Sequence, residues 1–170
     1  TSTLQIRDMT QGQQLAQMMG RSREYTMLYF NKLKDQDLQR LFVCEGVPLN
    51  TAYWVIAHLT ASQNGLILMA TGGEFKKFSW AKHFMPGAQQ VPIADRPPFD
   101  EVLTLFHSIH AKSIAHVAGL TDEALQGPNL TGIAMIGHTV HDVVTHSIRH
   151  EALHAGHLSW PCKLCGVKTM

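Results

Sequence analysis

The amino-acid sequence predicts an all-α protein built as a bundle of four long helices. Four stretches repeat their apolar residues at intervals of three and four, which is the helical period. No stretch alternates apolar and polar residues for long enough to require a β-strand. A long proline-rich segment separates the second and third helices, and a bundle in which those two run parallel needs such a crossover. The length of 170 residues fits a single domain, residues 1–170.

The first helix is predicted from Thr10 to Leu33, where one broad face is apolar or small. That face consists of Leu15, Met18, Met19, Ser22, Thr26, Tyr29, Phe30 and Leu33. Gly12 and Gly20 weaken the helical signal only slightly. A connection follows as far as Pro48, and we expect one helical turn in it, from Asp37 to Phe42.

The second helix is predicted to start at Thr51, with Asn50 as its N-cap, and to run to about Ala70. The pair Gly72-Gly73 then ends it. His58 lies on the inward side of this helix, and its neighbours on that side are small: Ala61, Ser62 and Gly65. Small residues leave space, so this face suits a cavity better than a filled core.

The crossover, Thr71 to Phe99, contains four prolines that prevent any regular element. Its aromatic residues, Phe75, Phe78, Trp80 and Phe84, indicate that it packs onto the body of the bundle. A loop of this length in a compact domain is often a lid or a binding loop, and the alternative is a plain solvated crossover.

The last two helices complete the bundle. Asp100 to Gly119 is the clearest amphipathic stretch, and His110 lies close to its apolar face, either near a functional site or at an ordinary helix interface. The last helix is predicted from Thr131 to Trp160. Gly132 and Gly137 fall near its start, and Pro161 marks its end.

The last helix is unusually rich in histidine, with six of the protein's 11 histidines between His138 and Trp160. His150 and His154 occupy core positions where a bundle normally has leucine, and they are four residues apart, so their rings point to the same side. Two imidazoles at this spacing can share one metal ion. The alternative is a pair of hydrogen-bonded core histidines, and the spacing alone supports both equally. His141 is expected to face solvent.

Charge and composition narrow the classes of partner. The formal net charge is +1, charged residues make up 16% of the chain, and no basic run is present, so nucleic-acid binding has little support. No apolar run is long enough to span a bilayer, and the residues TSTLQIRDM lack the regions of a signal peptide. We therefore expect a cytoplasmic protein without a membrane partner.

The cysteines support this expectation weakly. There are three, Cys44, Cys162 and Cys165, which is not a disulfide framework. Cys162 and Cys165 form a C-x-x-C pair after Pro161, yet the chain has no second pair that would complete a zinc knuckle. The pair is either structural or takes part in redox or accessory metal chemistry.

Two motifs resemble the DinB-like (DinB/YfiT) family of metalloenzymes. They are N-x-x-x-W-x-x-x-H-L from Asn50 to Leu59, and H-E-x-x-H-x-G-x-L from His150 to Leu158. Each motif is weakly specific alone, but their order and separation match the family over most of the chain. The resemblance implies an up-up-down-down four-helix bundle with a long crossover between helices 2 and 3, often dimeric.

The resemblance also implies a divalent metal held by three histidines, which by position are His58, His150 and His154. The family often has Gln where this chain has His157, so His157 is either a further ligand or a polar neighbour, and the same choice applies to His146. Some relatives use an acidic residue as a base. Glu151 points about 100° away from His150 around the helix, and a surface or interface contact is the simpler expectation for it.

Three imidazoles leave a metal ion with open positions for water or substrate, since a closed structural site has four protein ligands. Zinc or nickel is the expected ion, with iron or manganese as alternatives. The resemblance implies a thiol-dependent transferase or a hydrolase acting on a small molecule, with a low-molecular-weight thiol as partner. The alternatives are a non-catalytic metal- or ligand-binding helical dimer and a dimer with a vestigial site. No catalytic residue is identified from the sequence.

Overall fold

The structure is a computed structural model that describes residues 8–169, and it confirms the all-α prediction. Four long helices dominate: α1 (Gln11–Leu33), α2 (Ala52–Gln63), α3 (Phe99–Ala118) and α5 (Val140–Leu164). A short helix, α4 (Asp122–Leu125), lies between α3 and α5, and α2 continues as a π-helical turn, Asn64–Met69. The first seven residues, which bear on the absence of a signal peptide, and Met170 lie outside the described residues.

The four long helices form a bundle in which α1 and α2 occupy opposite corners. α1 packs against α3 and α5, and α2 packs against the same two helices. One apolar core fills the space between them, with Tyr53, Phe106 and Met19 among its largest fully buried side chains. No helix among the described residues has the length and hydropathy of a membrane span.

The contacts of α1 give its direction relative to its two neighbours. Gly12 lies against the carbonyl oxygen of Val117 at the end of α3, and Phe30 packs on Phe99 at the start of α3, so these helices are antiparallel. Along α5, Arg23 contacts Glu151 and Tyr29 contacts Cys162, so α1 and α5 run in parallel.

α2 runs parallel to α3 and antiparallel to α5. Tyr53 packs on Phe99 and Gln63 contacts His110, so α2 and α3 run in the same direction, as the long crossover between them predicted. The order is therefore up-down-down-up in place of the implied up-up-down-down order. The two connections explain this order. The connection after α1 reverses the chain, so that α2 runs antiparallel to α1. The crossover then leads from the end of α2 back to the other end of the bundle, so that α3 runs parallel to α2.

The connection between α1 and α2 contains a small hairpin that we did not expect, and the residues from Asp37 to Phe42, where we expected a helical turn, form no helix. Strand β1 (Val43–Cys44) pairs antiparallel with β2 (Val47–Pro48). The two residues between them, Glu45 and Gly46, have φ values of 47° and 82°, as a tight hairpin turn requires. Gly46 adopts this conformation without steric cost, which favours a tight turn at this point of the connection.

Two helix starts differ from the sequence prediction. Thr51, and not Asn50, caps α2, because its hydroxyl accepts a hydrogen bond from the Trp54 amide. α5 starts at Val140 and not at Thr131, since residues 131–139 form a loop with a 3₁₀ turn, Ala134–Ile136. Thr139 and Asp142 form a capping box at the start of α5, which gives that position a stronger start signal than the earlier one.

α5 also continues past its predicted end. Pro161 lies inside the helix, which extends to Leu164. A proline removes one backbone donor, but here it lies in the last turns, where the helix has few hydrogen bonds left to lose. Burial of Pro161 and Cys162 against the bundle offsets the missing bond.

Candidate metal centre

The structure brings together the three histidines that the resemblance implies. His58 comes from α2, and His150 and His154 come from consecutive turns of α5. The Nε2 atom of His150 lies 3.1 Å from Nε2 of His58 and 3.2 Å from Nε2 of His154. One ligand nitrogen from each residue lies within 4.8 Å of the others. Among the described residues, this is the one group of three or more potential ligands with that geometry.

The orientation of His58 is fixed from two sides. Its Nδ1 atom donates a hydrogen bond to the carbonyl oxygen of Phe84, in the crossover, at 2.6 Å. A carbonyl can only accept, so the ring proton is on Nδ1 and the lone pair of Nε2 faces the other two histidines. The indole ring of Trp54 stacks on His58, with centroids 4.6 Å apart and planes 12° apart.

Two further histidines border the group without joining it. His157 is exposed, and its Nδ1 atom lies 3.2 Å from Nδ1 of His154, so it contacts the side of His154 that faces away from the centre. His146 lies one turn before His150, with ring centroids 5.7 Å apart. In this geometry His146 and His157 are polar neighbours of the three histidines, and neither belongs to the group of candidate metal ligands.

The three rings are neutral at ordinary pH. Burial lowers the pKa of His150 to about 4 and that of His154 to about 3, and the neighbouring imidazoles lower both further. Burial also lowers the pKa of His58, although the hydrogen bond to Phe84 partly opposes it. Metal binding requires neutral imidazole, so the site needs no deprotonation before an ion binds.

The spacing of the nitrogens fits a metal ion. Two nitrogens that each lie about 2.0–2.1 Å from one zinc ion in tetrahedral geometry are about 3.3 Å apart, close to the observed 3.1 and 3.2 Å. Hydrogen bonds between the rings do not account for both short Nε2–Nε2 contacts, because a single proton on His150 Nε2 can be donated to only one of its two neighbours. A cation satisfies all three lone pairs together.

A pocket of about 350 Å³ opens beside the histidines, and His58 and His150 form part of its wall. It lies where the small residues of α2 predicted space. Its walls come from the π-helical turn, the crossover and the loop before α5, and most of the lining is apolar, including Leu66, Met69, Met85, Leu130 and Ile133. The pocket therefore gives a small apolar molecule access to the centre.

Glu151 is buried at the interface between α5 and α1, so of the expected surface or interface contact the surface alternative is wrong. Its carboxylate forms an ion pair with the guanidinium of Arg23, and both side chains are less than a tenth exposed. Thr26 donates to the same carboxylate at 3.1 Å, and Arg23 also donates to Gln63 Oε1 at 3.1 Å. The ion pair and its partners therefore connect α1, α2 and α5 next to the histidines.

The remaining candidates lie outside the group. His110 contacts Gln63 Oε1 at 3.2 Å, so it belongs to the network of Arg23 and Glu151. His141, which we expected to face solvent, is half-buried, and it is not part of the group. Cys162 is buried with its thiol near the Tyr29 carbonyl, and Cys165 is partly exposed. Neither cysteine is part of the histidine group.

Sequence reasoning missed two contributors to the site. Arg23 carried a signal, because it lies on the same helical face as Met19, Thr26 and Phe30, where a charged residue requires a buried partner. The carbonyl of Phe84 gave no signal in the sequence, because every residue has a backbone acceptor. Its position depends on how the crossover folds.

Comparison with known proteins agrees with the motifs. A family model described as the DinB superfamily matches residues 18–158, which include all three histidines. A search of curated proteins found no match.

Proposed function

The chain belongs to the DinB superfamily, and from that premise we propose that it is a metal-dependent enzyme of the thiol transferase or hydrolase type. One observation carries the proposal: three neutral imidazoles converge on one point, and two of them line an apolar pocket. His58, His150 and His154 would hold the ion. Zinc or nickel suits such a site best, and iron or manganese is an alternative.

The ion would supply Lewis acidity, which lowers the pKa of a thiol or of water. The residues of the chain hold and surround it. Phe84 keeps the His58 proton on Nδ1, so Nε2 stays available as a ligand. The apolar wall excludes water and favours an apolar substrate, while the Ser62 hydroxyl and the Thr131 side chain offer polar contacts in the pocket.

A non-catalytic metal- or ligand-binding dimer is the second candidate, and one observation favours it. Glu151, the acidic residue next to a histidine of the centre, is committed to Arg23 and Thr26 and so is not free to act as a base. Enzyme function would then depend on the ion and on groups of the substrate itself.

We further propose a homodimer in the cytoplasm that acts on a small molecule with a low-molecular-weight thiol as partner. The cysteines among the described residues are all free thiols, which favours a reducing compartment. Two large apolar side chains on the outer face of α5, Leu153 and Trp160, are more than half exposed, which favours contact with a second subunit.

The test is turnover by the purified protein. Its bound metal is first identified by elemental analysis, and the loaded protein is then assayed with low-molecular-weight thiols, each paired with a panel of apolar electrophiles and esters. We expect product formation that is lost in His150→Ala and retained in His141→Ala, because only His150 belongs to the group. A loaded protein that turns over none of these pairs supports the non-catalytic alternative.

A further inference from the structure

The pocket beside the histidines adjoins a second pocket, and we refer to the two together as the cleft. A second compartment, of about 480 Å³, adjoins it on the side of the crossover. The two compartments share four wall residues, Ala61, Gly65, Met69 and Met85. The two compartments therefore lie side by side, and a molecule long enough to cross these shared residues would contact both.

The second compartment is basic, unlike the first. Three lysines of the crossover line it: Lys76, Lys77 and Lys82. None of them forms an ion pair with another residue in the part of the chain that the structure describes, whereas Lys112 pairs with Glu74 at 3.1 Å. Positive charge at one end of an apolar cleft attracts a ligand that is anionic at the corresponding end.

The segment that carries these lysines is attached to the wall of the cleft. The Asn64 side chain donates to the Lys76 carbonyl at 2.9 Å and accepts from the Lys76 amide at 3.0 Å. Lys82 belongs to a 3₁₀ turn, Ala81–Phe84, whose last residue binds His58 through its carbonyl. The backbone of the lysines is therefore held at a defined position relative to the histidines.

Two acidic residues lie near this compartment but are not part of its lining. Asp100 and Glu101 line a different pocket, which also borders Lys76 and Lys77. The carboxylate of Glu101 accepts a hydrogen bond from the Trp80 indole at 3.0 Å. No Asp or Glu lines the second compartment, where the other walls include Phe75 and Phe78.

We propose that the cleft binds an elongated organic anion. Its apolar body lies in the first compartment, against the wall that includes His58 and His150, and its carboxylate, phosphate or sulfonate group lies against Lys76, Lys77 and Lys82. Binding of such an anion requires neither metal nor turnover. The proposal rests on the proposed function only in identifying this anion as the class of substrate.

Two fluorescent dyes that differ in a single group test the proposal. Anilinonaphthalenesulfonate and phenylnaphthylamine have the same aromatic body, and only the first carries a sulfonate. We expect the purified protein to bind the anionic dye about tenfold more tightly, as several partly screened charge contacts would give. The preference should decrease with added salt, because the lysines are exposed.

Three variants locate the binding. The triple substitution Lys76→Gln, Lys77→Gln and Lys82→Gln should bind both dyes equally, and Lys112→Gln should keep the preference. Gly65→Leu should weaken both dyes, because Gly65 lines both compartments and a side chain there meets no atom within 4 Å.

The proposal is overturned if the unmodified protein binds both dyes with equal affinity or shows no saturable binding of either dye. It is also overturned if the preference for the anionic dye survives the triple substitution, or if Gly65→Leu leaves the binding of both dyes unchanged. Titration before and after treatment with a chelator separates it from the proposed function. A chelated protein that still prefers the anionic dye shows that the anion site does not depend on the metal. If the metal-loaded protein turns over no substrate and yet prefers the anionic dye, the proposed function fails and the anion site stands.

Discussion

At the candidate centre, two of the three imidazoles are oriented by a contact on the far side of the ring. His58 donates to the Phe84 carbonyl through Nδ1, and Nδ1 of His154 contacts His157. His150 lies between them, within 3.2 Å of both Nε2 atoms. Loss of any one ring therefore leaves an ion with two protein ligands, which is too few for stable binding.

We predict that His58→Ala, His150→Ala and His154→Ala each remove most of the bound metal. The melting temperature should decrease as well, because an ion that binds only the folded state stabilises it by mass action. Elemental analysis and thermal unfolding of the purified variants measure both effects.

His141→Ala is the matched control and should keep its metal, since His141 is outside the group although it lies on the same helix. His157→Ala is expected to lose only part of the metal, because it removes the contact to the far side of His154 and no ligand. Full metal occupancy in His58→Ala or His150→Ala would show that the ligands are misassigned.

The buried ion pair between Arg23 and Glu151 is the second feature at the residue scale. Burial lowers the pKa of Arg23, and the charge of Glu151 opposes that shift. Glu151→Ala leaves the guanidinium without its partner, and we expect the free energy of unfolding to decrease by about 3–5 kcal/mol. Urea denaturation followed by circular dichroism measures this loss.

Two comparisons identify the cause of that loss. The double variant Arg23→Met with Glu151→Leu removes both charges and should lose less stability than Glu151→Ala alone. Arg21 and Glu24 form an exposed pair on α1, and Arg21→Ala should cost no more than about 1 kcal/mol. A double variant that is less stable than Glu151→Ala would contradict the explanation by unpaired charge.

At the scale of elements, the approach of α1 to the end of α3 depends on Gly12. A Cβ atom at this position would lie 2.5 Å from the Val117 carbonyl oxygen and 2.7 Å from that of Leu120. Gly12→Ala must move backbone on one side, and we expect a loss of about 1–3 kcal/mol in the free energy of unfolding. Urea denaturation again provides the measurement.

Gly20, on the same helix, is the matched control. A Cβ atom there meets nothing within 4 Å, so Gly20→Ala should raise stability by about 0.5–1 kcal/mol through helix propensity alone. If Gly12→Ala were as stable as Gly20→Ala, the two helices would not be in the close contact described.

The π-helical turn at the end of α2 is the element that shapes the cleft. Gly65 and Met69, both within it, line the two compartments. The turn follows directly after Gln63, which contacts Arg23 and His110. Single π-helical turns occur often at functional sites, and this one contributes Gly65 and Met69 to the cleft while it buries Ile67 and Leu68 in the core.

At the scale of the whole molecule, we predict a homodimer. The outer face of α5 carries Leu153, Trp160 and Leu164, which are 60%, 59% and 49% exposed and lie within one narrow strip of the helix. Light scattering should give twice the chain mass of 18.9 kDa. Burial of this strip against a second subunit is the physical reason, and Leu153→Glu with Trp160→Glu should give a monomer.

Met135→Glu is the control for that experiment. Met135 is 87% exposed, and it lies in the loop before α5, away from the strip. It should leave the mass unchanged. A monomer at every micromolar concentration of the unmodified protein would reject the dimer, and a dimer that survives both substitutions would place its interface elsewhere.

The sequence by itself determined the helical class, the four long helices and the direction in which three histidines face. These properties follow from the period of apolar residues, and a period is a local feature that tertiary contacts seldom reverse in long helices. The spacing of His150 and His154 likewise depends only on helix geometry. That the three histidines bind a metal stays a prediction.

Only the tertiary structure shows those features that involve contacts between residues far apart in the chain. The order of helix directions, the burial of Glu151 against Arg23, and the hydrogen bond from His58 to Phe84 each join separate elements. A helical pattern specifies which side of the helix a residue faces, but it does not specify which residue of another element it contacts there. The path of the crossover could not be predicted either, because proline-rich backbone has no periodic pattern of apolar residues. The positions of its lysines and of its carbonyl groups are therefore known only from the tertiary structure.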